Sequence, residues 1–243
     1  MARKITTSIN DRMLEYERNS FVQFNDSLKH PIILCVTARD FESFAAANNV
    51  ERFESEQLFG VMSTAAYNCA STYIPGCVAC FVTFDGAYFC IANTKKCKNY
   101  SDFVSASASL MTLEFNRLFQ GATALVFTAK MVELPDLFEV KNYFIWRQIK
   151  HLRSTVYNFF DKNNISVPSN KKQIVPFGDL LAMAQSHQNW ANLREEQLSG
   201  VFVRQIDNLN GNFEWVANIS PMFNTDDGAD YVREALSFSG LEH

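Results

Sequence analysis

Cys77-Val-Ala-Cys-Phe-Val-Thr83, then Phe84-Asp85-Gly86, then Ala87-Tyr-Phe-Cys-Ile-Ala92 reads as two short strands joined by a tight turn. Asp-Gly is a favoured hairpin dipeptide because both residues tolerate the left-handed backbone such turns need. Upstream, Val50 to Tyr73 has helical spacing, with Leu58, Met62, Ala65, Cys69 and Tyr73 on one face, until Pro75-Gly76 stops it. Before that helix, Pro31-Ile-Ile-Leu-Cys-Val-Thr37 is a buried strand. Downstream, Ser101 to Phe119 is a second helix, carrying Phe103, Ala106, Leu110, Leu113 and Leu118. Thr123 to Leu134 is a fourth strand closed by Pro135, and Phe138 to Phe160 is a long helix with a stripe of Ile145, Ile149, Leu152, Val156 and Phe160.

The resulting order, βαββαβ and then a helix, predicts an α+β fold of the ferredoxin-like or polymerase-palm kind: an antiparallel four-stranded sheet with helices on one face. Residues 1–160 are expected to form this palm-like domain. Residues 161–173 are a polar linker, and residues 174–243 are a small C-terminal extension packed on the palm, with a helix at Phe177–Ser186 and strands at Gly200–Ile206 and Phe213–Ile219. Polymerase palms hold metal-binding carboxylates at the end of the first strand and in the hairpin, since hard cations bridging phosphates need anionic oxygen ligands. The hairpin here offers Asp85, and the strand end offers Thr37-Ala-Arg-Asp40.

Composition narrows the options. The 243 residues carry 22 basic and 26 acidic side chains, a net charge of −4, so any polyanion-binding face must be local. No apolar run is long enough to span a membrane, and the N-terminus has no signal-peptide pattern. The expected compartment is therefore cytoplasmic, which also suits six cysteines (Cys35, Cys69, Cys77, Cys80, Cys90, Cys97) as free, buried thiols. Cys77-Val-Ala-Cys80 has zinc or redox spacing, but no second pair stands near it, and on a regular strand its two thiols point to opposite faces. The chain has no Walker-type glycine loop and no nucleophile-elbow serine. His151 is expected on the side of its helix away from Ile145 and Ile149, without a catalytic partner. The 22 phenylalanines, dense at Phe21, Phe24, Phe41, Phe44, Phe53 and Phe59, exceed what a palm core needs, so an aromatic surface for self-association or a protein partner is one expectation.

Five segments stand in order along the chain: Asp11-Arg-Met-Leu-Glu-Tyr-Glu17, Arg39-Asp-Phe-Glu-Ser-Phe44, Ala108-Ser-Leu-Met-Thr-Leu-Glu-Phe-Asn116, Asn142-Tyr-Phe-Ile-Trp-Arg-Gln148, and Trp190 through Gly200-Val-Phe-Val203. Together they resemble the tRNA-His guanylyltransferase family, in particular its bacterial and viral guanylyltransferase-like branch. The resemblance runs in order over residues 11 to 204. It implies a reverse, 3′-to-5′ nucleotidyltransferase that adds GTP to a tRNA 5′ end with two magnesium ions, and a homo-oligomer.

The departures bear on function. Where the resemblance places the first metal aspartate and a glycine, this chain has Thr37-Ala38, and where it places Ser-Asp-Glu in the hairpin, this chain has Phe84-Asp85-Gly86. An aspartate on the fourth strand becomes Thr128, with Lys130 for an arginine. An aspartate after the Trp-Arg-Gln signature becomes Lys150, and a triphosphate-contacting lysine becomes Asp102. A neutral hydroxyl supplies no charge to hold two cations together. The metal candidates are thus Asp85 and Asp40, and the candidates for phosphate, nucleotide or RNA contact are Lys95, Lys96, Lys98, Arg147, Lys150 and Arg153. Two functional readings stay open. One is a non-catalytic scaffold for a protein partner, RNA or nucleotide. The other is an active, magnesium-dependent transferase of GTP to an RNA 5′ end.

Overall fold

The computed structural model describes residues 8–20, 30–51, 55–92, 100–167, 175–207 and 213–237. The chain begins with α1 (Ile9–Asn19) and β1 (Ile32–Arg39), followed by α2 (Phe41–Ala47) and α3 (Glu56–Asn68), which widens into a π-turn at Cys69–Tyr73. The hairpin is β2 (Cys77–Thr83) and β3 (Gly86–Ile91). Next come α4 (Tyr100–Phe119), β4 (Val126–Glu133), and α5 (Leu137–Lys162), whose start is capped by the Asp136 carboxylate accepting the Glu139 N–H at 2.9 Å. The C-terminal part contains α6 (Phe177–Gln185), α7 (Glu195–Ser199), β5 (Val201–Asp207), β6 (Phe213–Ile219) and α8 (Asp226–Ser237).

The strands form one antiparallel sheet in the order β4-β1-β3-β2-β5-β6. It therefore has six strands where the sequence pattern predicts four, because the extension docks by pairing β5 with β2. The two crossover helices, α3 and α4, lie on one face as expected. They cover Ile32, Leu34 and Val36 of β1 and Phe89 of β3, joined by Phe41 and Phe44 of α2. The opposite face is covered as well: α1, α5 and α8 pack on Ile33 and Cys35, the alternate residues of the same strand.

This second layer explains one difference from the sequence reading. The buried side of α5 is centred on Tyr143, Phe144, His151, Leu152, Thr155 and Val156, while Ile145 and Ile149 are only half-buried. A helix touched by the sheet, α1, α7 and α8 buries more than one stripe. The cysteines differ too. A β-bulge between Cys77 and Ala79 turns Cys77 and Cys80 onto the same face of the sheet, where both are free and buried in the apolar core. Burial pushes both thiols well above their usual pKa, so they are inert packing groups. Of the aromatic run, Phe41, Phe44 and Phe59 are buried in the core, while Phe21, Phe24 and Phe53 lie outside the described residues. Among the described phenylalanines the large exposures are Phe138 at 50% and Phe213 at 64%, on different elements. No described helix is long and apolar enough to cross a membrane.

Candidate functional site

The sheet register gathers the positions that a palm uses for chemistry. Thr37 lies opposite Gly86 on β3 and opposite Thr128 on β4, and the Ala38 N–H donates to the Asp85 carbonyl at 2.8 Å. Strand alternation puts Thr37, Thr128 and Lys130 on the face shared by Ile33 and Cys35, toward α5. The strands approach closely here. A Cβ on Gly86 would sit 2.6 Å from the Val36 carbonyl oxygen and 3.1 Å from the Thr37 Cα, so glycine is required by packing and not by a left-handed turn conformation.

Asp85 stands at the tip of the hairpin, and its Oδ1 accepts the Thr83 hydroxyl at 2.9 Å. It lines a cavity of about 140 Å³ against α5, together with Tyr88, Arg147, Lys150 and His151. Asp40 is elsewhere. It takes the left-handed conformation (φ 52°) ahead of α2, accepts the Ser43 hydroxyl at 2.8 Å, and lines a separate cavity of about 470 Å³ with Arg39, Phe44, Thr123 and Val126. The fold thus keeps the two predicted metal candidates in different cavities.

The α5 side of the site is cationic and anchored by one carboxylate. Glu17 of α1 accepts from Arg147 Nη2, from the Tyr143 hydroxyl at 2.7 Å, and pairs with Lys130 Nζ at 3.3 Å. The Arg147 Nε donates to the Tyr143 hydroxyl at 3.0 Å, and its guanidinium lies over the Tyr88 and Trp146 rings at 4.4 and 4.7 Å. Burial lowers the Arg147 pKa to about 9, which still leaves it charged at neutral pH. Lys150, one turn on, rests its ammonium 3.9 Å above the Trp146 ring. Among the described residues it has no carboxylate partner. Burial, then the charges of Arg147, Lys130 and Arg153, lower its pKa to about 8. Arg153 is exposed, with its guanidinium 5.0 Å from the Phe177 ring centre. Asp102 is exposed in the first turn of α4. Lys95, Lys96 and Lys98 lie outside the described residues.

Two members of this site were not expected from the sequence. Glu17 lies 130 residues from Arg147 in the chain, and only tertiary packing brings them together. His151 is buried, at 4% exposure, among Phe59, Phe81 and Phe84. Neither ring nitrogen has a well-formed hydrogen bond among the described residues, and burial lowers its pKa to about 4 against the smaller opposing pulls of Asp85 and the Glu196 and Gln197 backbone. The signature Trp146-Arg147-Gln148 divides its work. The Trp146 indole N–H donates to Asn10 of α1 at 3.1 Å, and Arg147 enters the site. Gln148 binds the Ser199 and Pro221 carbonyls at 2.9 and 2.8 Å and accepts the Phe223 N–H at 2.7 Å.

Magnesium does not fit this donor set. Among the described residues no group of three or more His, Cys, Asp or Glu could hold an ion. Of the positions that converge, Thr37 and Thr128 are neutral and Lys130 and Lys150 are cationic. Asp85 is the one carboxylate at the hairpin.

No family model matches the chain, and no curated protein matches it in sequence. Solved structures do match its fold. A bacterial tRNA(His) guanylyltransferase (Thg1)-like protein in complex with GTP superposes with a TM-score of 0.70 at 21% identity, covering 97% of this chain and 100% of that one. A structure of such a protein with ATP gives 0.70 at 22% identity, with the same coverage. The tRNA(His) guanylyltransferase of Saccharomyces cerevisiae gives 0.60 at 18% identity, covering 84% of this chain and 96% of that one. The chain therefore has the palm fold of these guanylyltransferases.

Proposed function

We propose that this chain is a guanylyltransferase-like palm protein that binds a nucleotide or an RNA 5′ end without performing two-metal nucleotidyl transfer. The observation that carries the reading is the exchange of charge at the convergent positions. Thr37, Thr128 and Lys150 stand where the resemblance places carboxylates, and Lys130, Arg147 and Lys150 crowd the same face. Two cations bridging phosphates need anionic ligands to offset their mutual repulsion, and one aspartate does not supply them. Cationic side chains, in contrast, bind phosphate oxygens directly. The GTP and ATP complexes belong to the similar bacterial proteins, and they support a nucleotide-sized ligand on this fold.

The test is incubation with labelled GTP, magnesium and a 5′-activated or 5′-triphosphorylated tRNA. The expected outcome is binding of GTP or RNA with no labelled product, and affinity unchanged by a chelator. Incorporation that Asp85→Asn abolishes would instead establish the catalytic reading, in which Asp85 holds an ion. The breadth of the structural match is what favours that second reading.

A further inference from the structure

Arg147 and Lys150 line the cavity between the hairpin and α5, and among the described residues Asp85 is the one carboxylate in that lining. Lys130 and Arg153 add their positive fields at Lys150 from outside it. Glu17 is already shared by Arg147, Lys130 and Tyr143. The second observation is independent of charge. His151 lines the same cavity and is buried, with the Glu196 and Gln197 backbone beside its ring but no well-formed hydrogen bond at either nitrogen among the described residues. Burying a polar group without a good partner is costly, so such a group marks a place suited to a polar ligand. The space is adequate: about 140 Å³, against the roughly 10–15 Å³ that one water needs.

We propose that this cavity binds a phosphate group directly on Lys150, Arg147 and His151, with no metal ion between. The proposal rests on the nucleotide or RNA reading above and assigns the phosphate its place. Lys150 supplies an ammonium that rests over the Trp146 ring and has no carboxylate partner among the described residues. The Arg147 Nε and Nη2 are engaged with Tyr143 and Glu17, which fixes the guanidinium plane and leaves Nη1 for the ligand. The neutral His151 ring donates one N–H. Asp85 opposes the anion, because a carboxylate at the cavity wall repels it. The sign of the Asp85 effect therefore separates this site from a metal site: an ion held by Asp85 makes that residue necessary, and a directly bound phosphate makes it a hindrance.

The experiment is titration of the whole chain with inorganic phosphate, in buffer containing a chelator, followed by calorimetry and phosphorus NMR. Lys150→Met is expected to weaken binding at least tenfold, and Asp85→Asn to tighten it by about tenfold. Binding to the unaltered protein is expected to weaken as pH rises through about 8, where Lys150 loses its proton. This readout needs no variant to fold. Three further arms use GTP, an RNA oligonucleotide with a 5′-monophosphate, and the same RNA with a 5′-hydroxyl. Competition between inorganic phosphate and only the 5′-phosphorylated RNA assigns the group to an RNA end, and competition with GTP alone assigns it to a free nucleotide. Phosphate binding that is absent, indifferent to Lys150→Met, or lost in Asp85→Asn overturns the proposal. If GTP or RNA still binds in that case, the broader reading stands and only the phosphate assignment falls. If none of the ligands binds, both fall.

Discussion

The two faces of the sheet are built from alternate residues of the same strands, yet they differ in kind. The face under α3 and α4 is an apolar layer in which Phe44, Phe115, Phe119 and Phe127 meet edge-on or stacked. Its buried carboxylate, Glu114, ties α4 to α3 through Asn68 and is paired with Arg117. The face under α1, α5 and α8 is apolar over Ile33, Phe144 and Phe202, then turns polar and charged toward Tyr88, Arg147 and Lys150. One face is a foundation whose buried carboxylate is satisfied by Asn68 and Arg117. The other combines a foundation with a site, and so it gathers several buried polar groups and cations in one place.

Substitutions test that division, starting with the largest effect. Phe115→Ala opens a cavity in the foundation and is expected to cost about 3–5 kcal/mol in denaturant unfolding, with phosphate binding unchanged in the molecules that remain folded. A loss of binding out of proportion to unfolding would show that the two faces are not independent. Next is acid. Burial lowers His151 from 6.5 to about 4, so the folded ring stays neutral while the unfolded chain takes up a proton. Its contribution is fully present above pH 6.5 and lost as pH falls toward 4, worth about 3 kcal/mol over that window. Unfolding curves across this range should slope accordingly, and His151→Phe should flatten them; a slope unchanged by the substitution would remove the histidine from the account. The smallest effect is expected from Glu17→Gln, which leaves Arg147 and Lys130 without their shared carboxylate. It should destabilise by about 2–3 kcal/mol and tighten phosphate binding, so that added phosphate restores part of the melting temperature. If stability and affinity both stay fixed, Glu17 is not the counter-charge of the site.

Much of the scaffold was legible because its signals are local. The Asp85-Gly86 turn, the period-2 runs around it, and the proline stops at Pro75 and Pro135 locate β1 to β4 and the helices between them. The elements that escaped are those whose formation depends on contact. The Asp-Asp-Gly-Ala-Asp start of α8 looks like a loop, yet a Cβ on Gly228 would sit 2.0 Å from the Met222 carbonyl oxygen, so glycine is what lets this helix approach the preceding turn. The seven-residue α2 is too short to show a period. The site was half legible. Asp85, Arg147 and Lys150 are read from spacing and resemblance, and the fold brings them into one cavity. Glu17 and the buried state of His151 were not readable, since neither the docking of α1 nor the depth of α5 is a property of local sequence.

The close approach at Gly86 also limits what can be installed there. A glutamate in its place, as in the hairpin the resemblance describes, would drive its Cβ into the backbone of β1, and β1 and β3 would have to part before any ion could be held. Thr37→Asp alone would therefore not assemble a two-ion site, because the main chain leaves the hairpin no room for a second carboxylate.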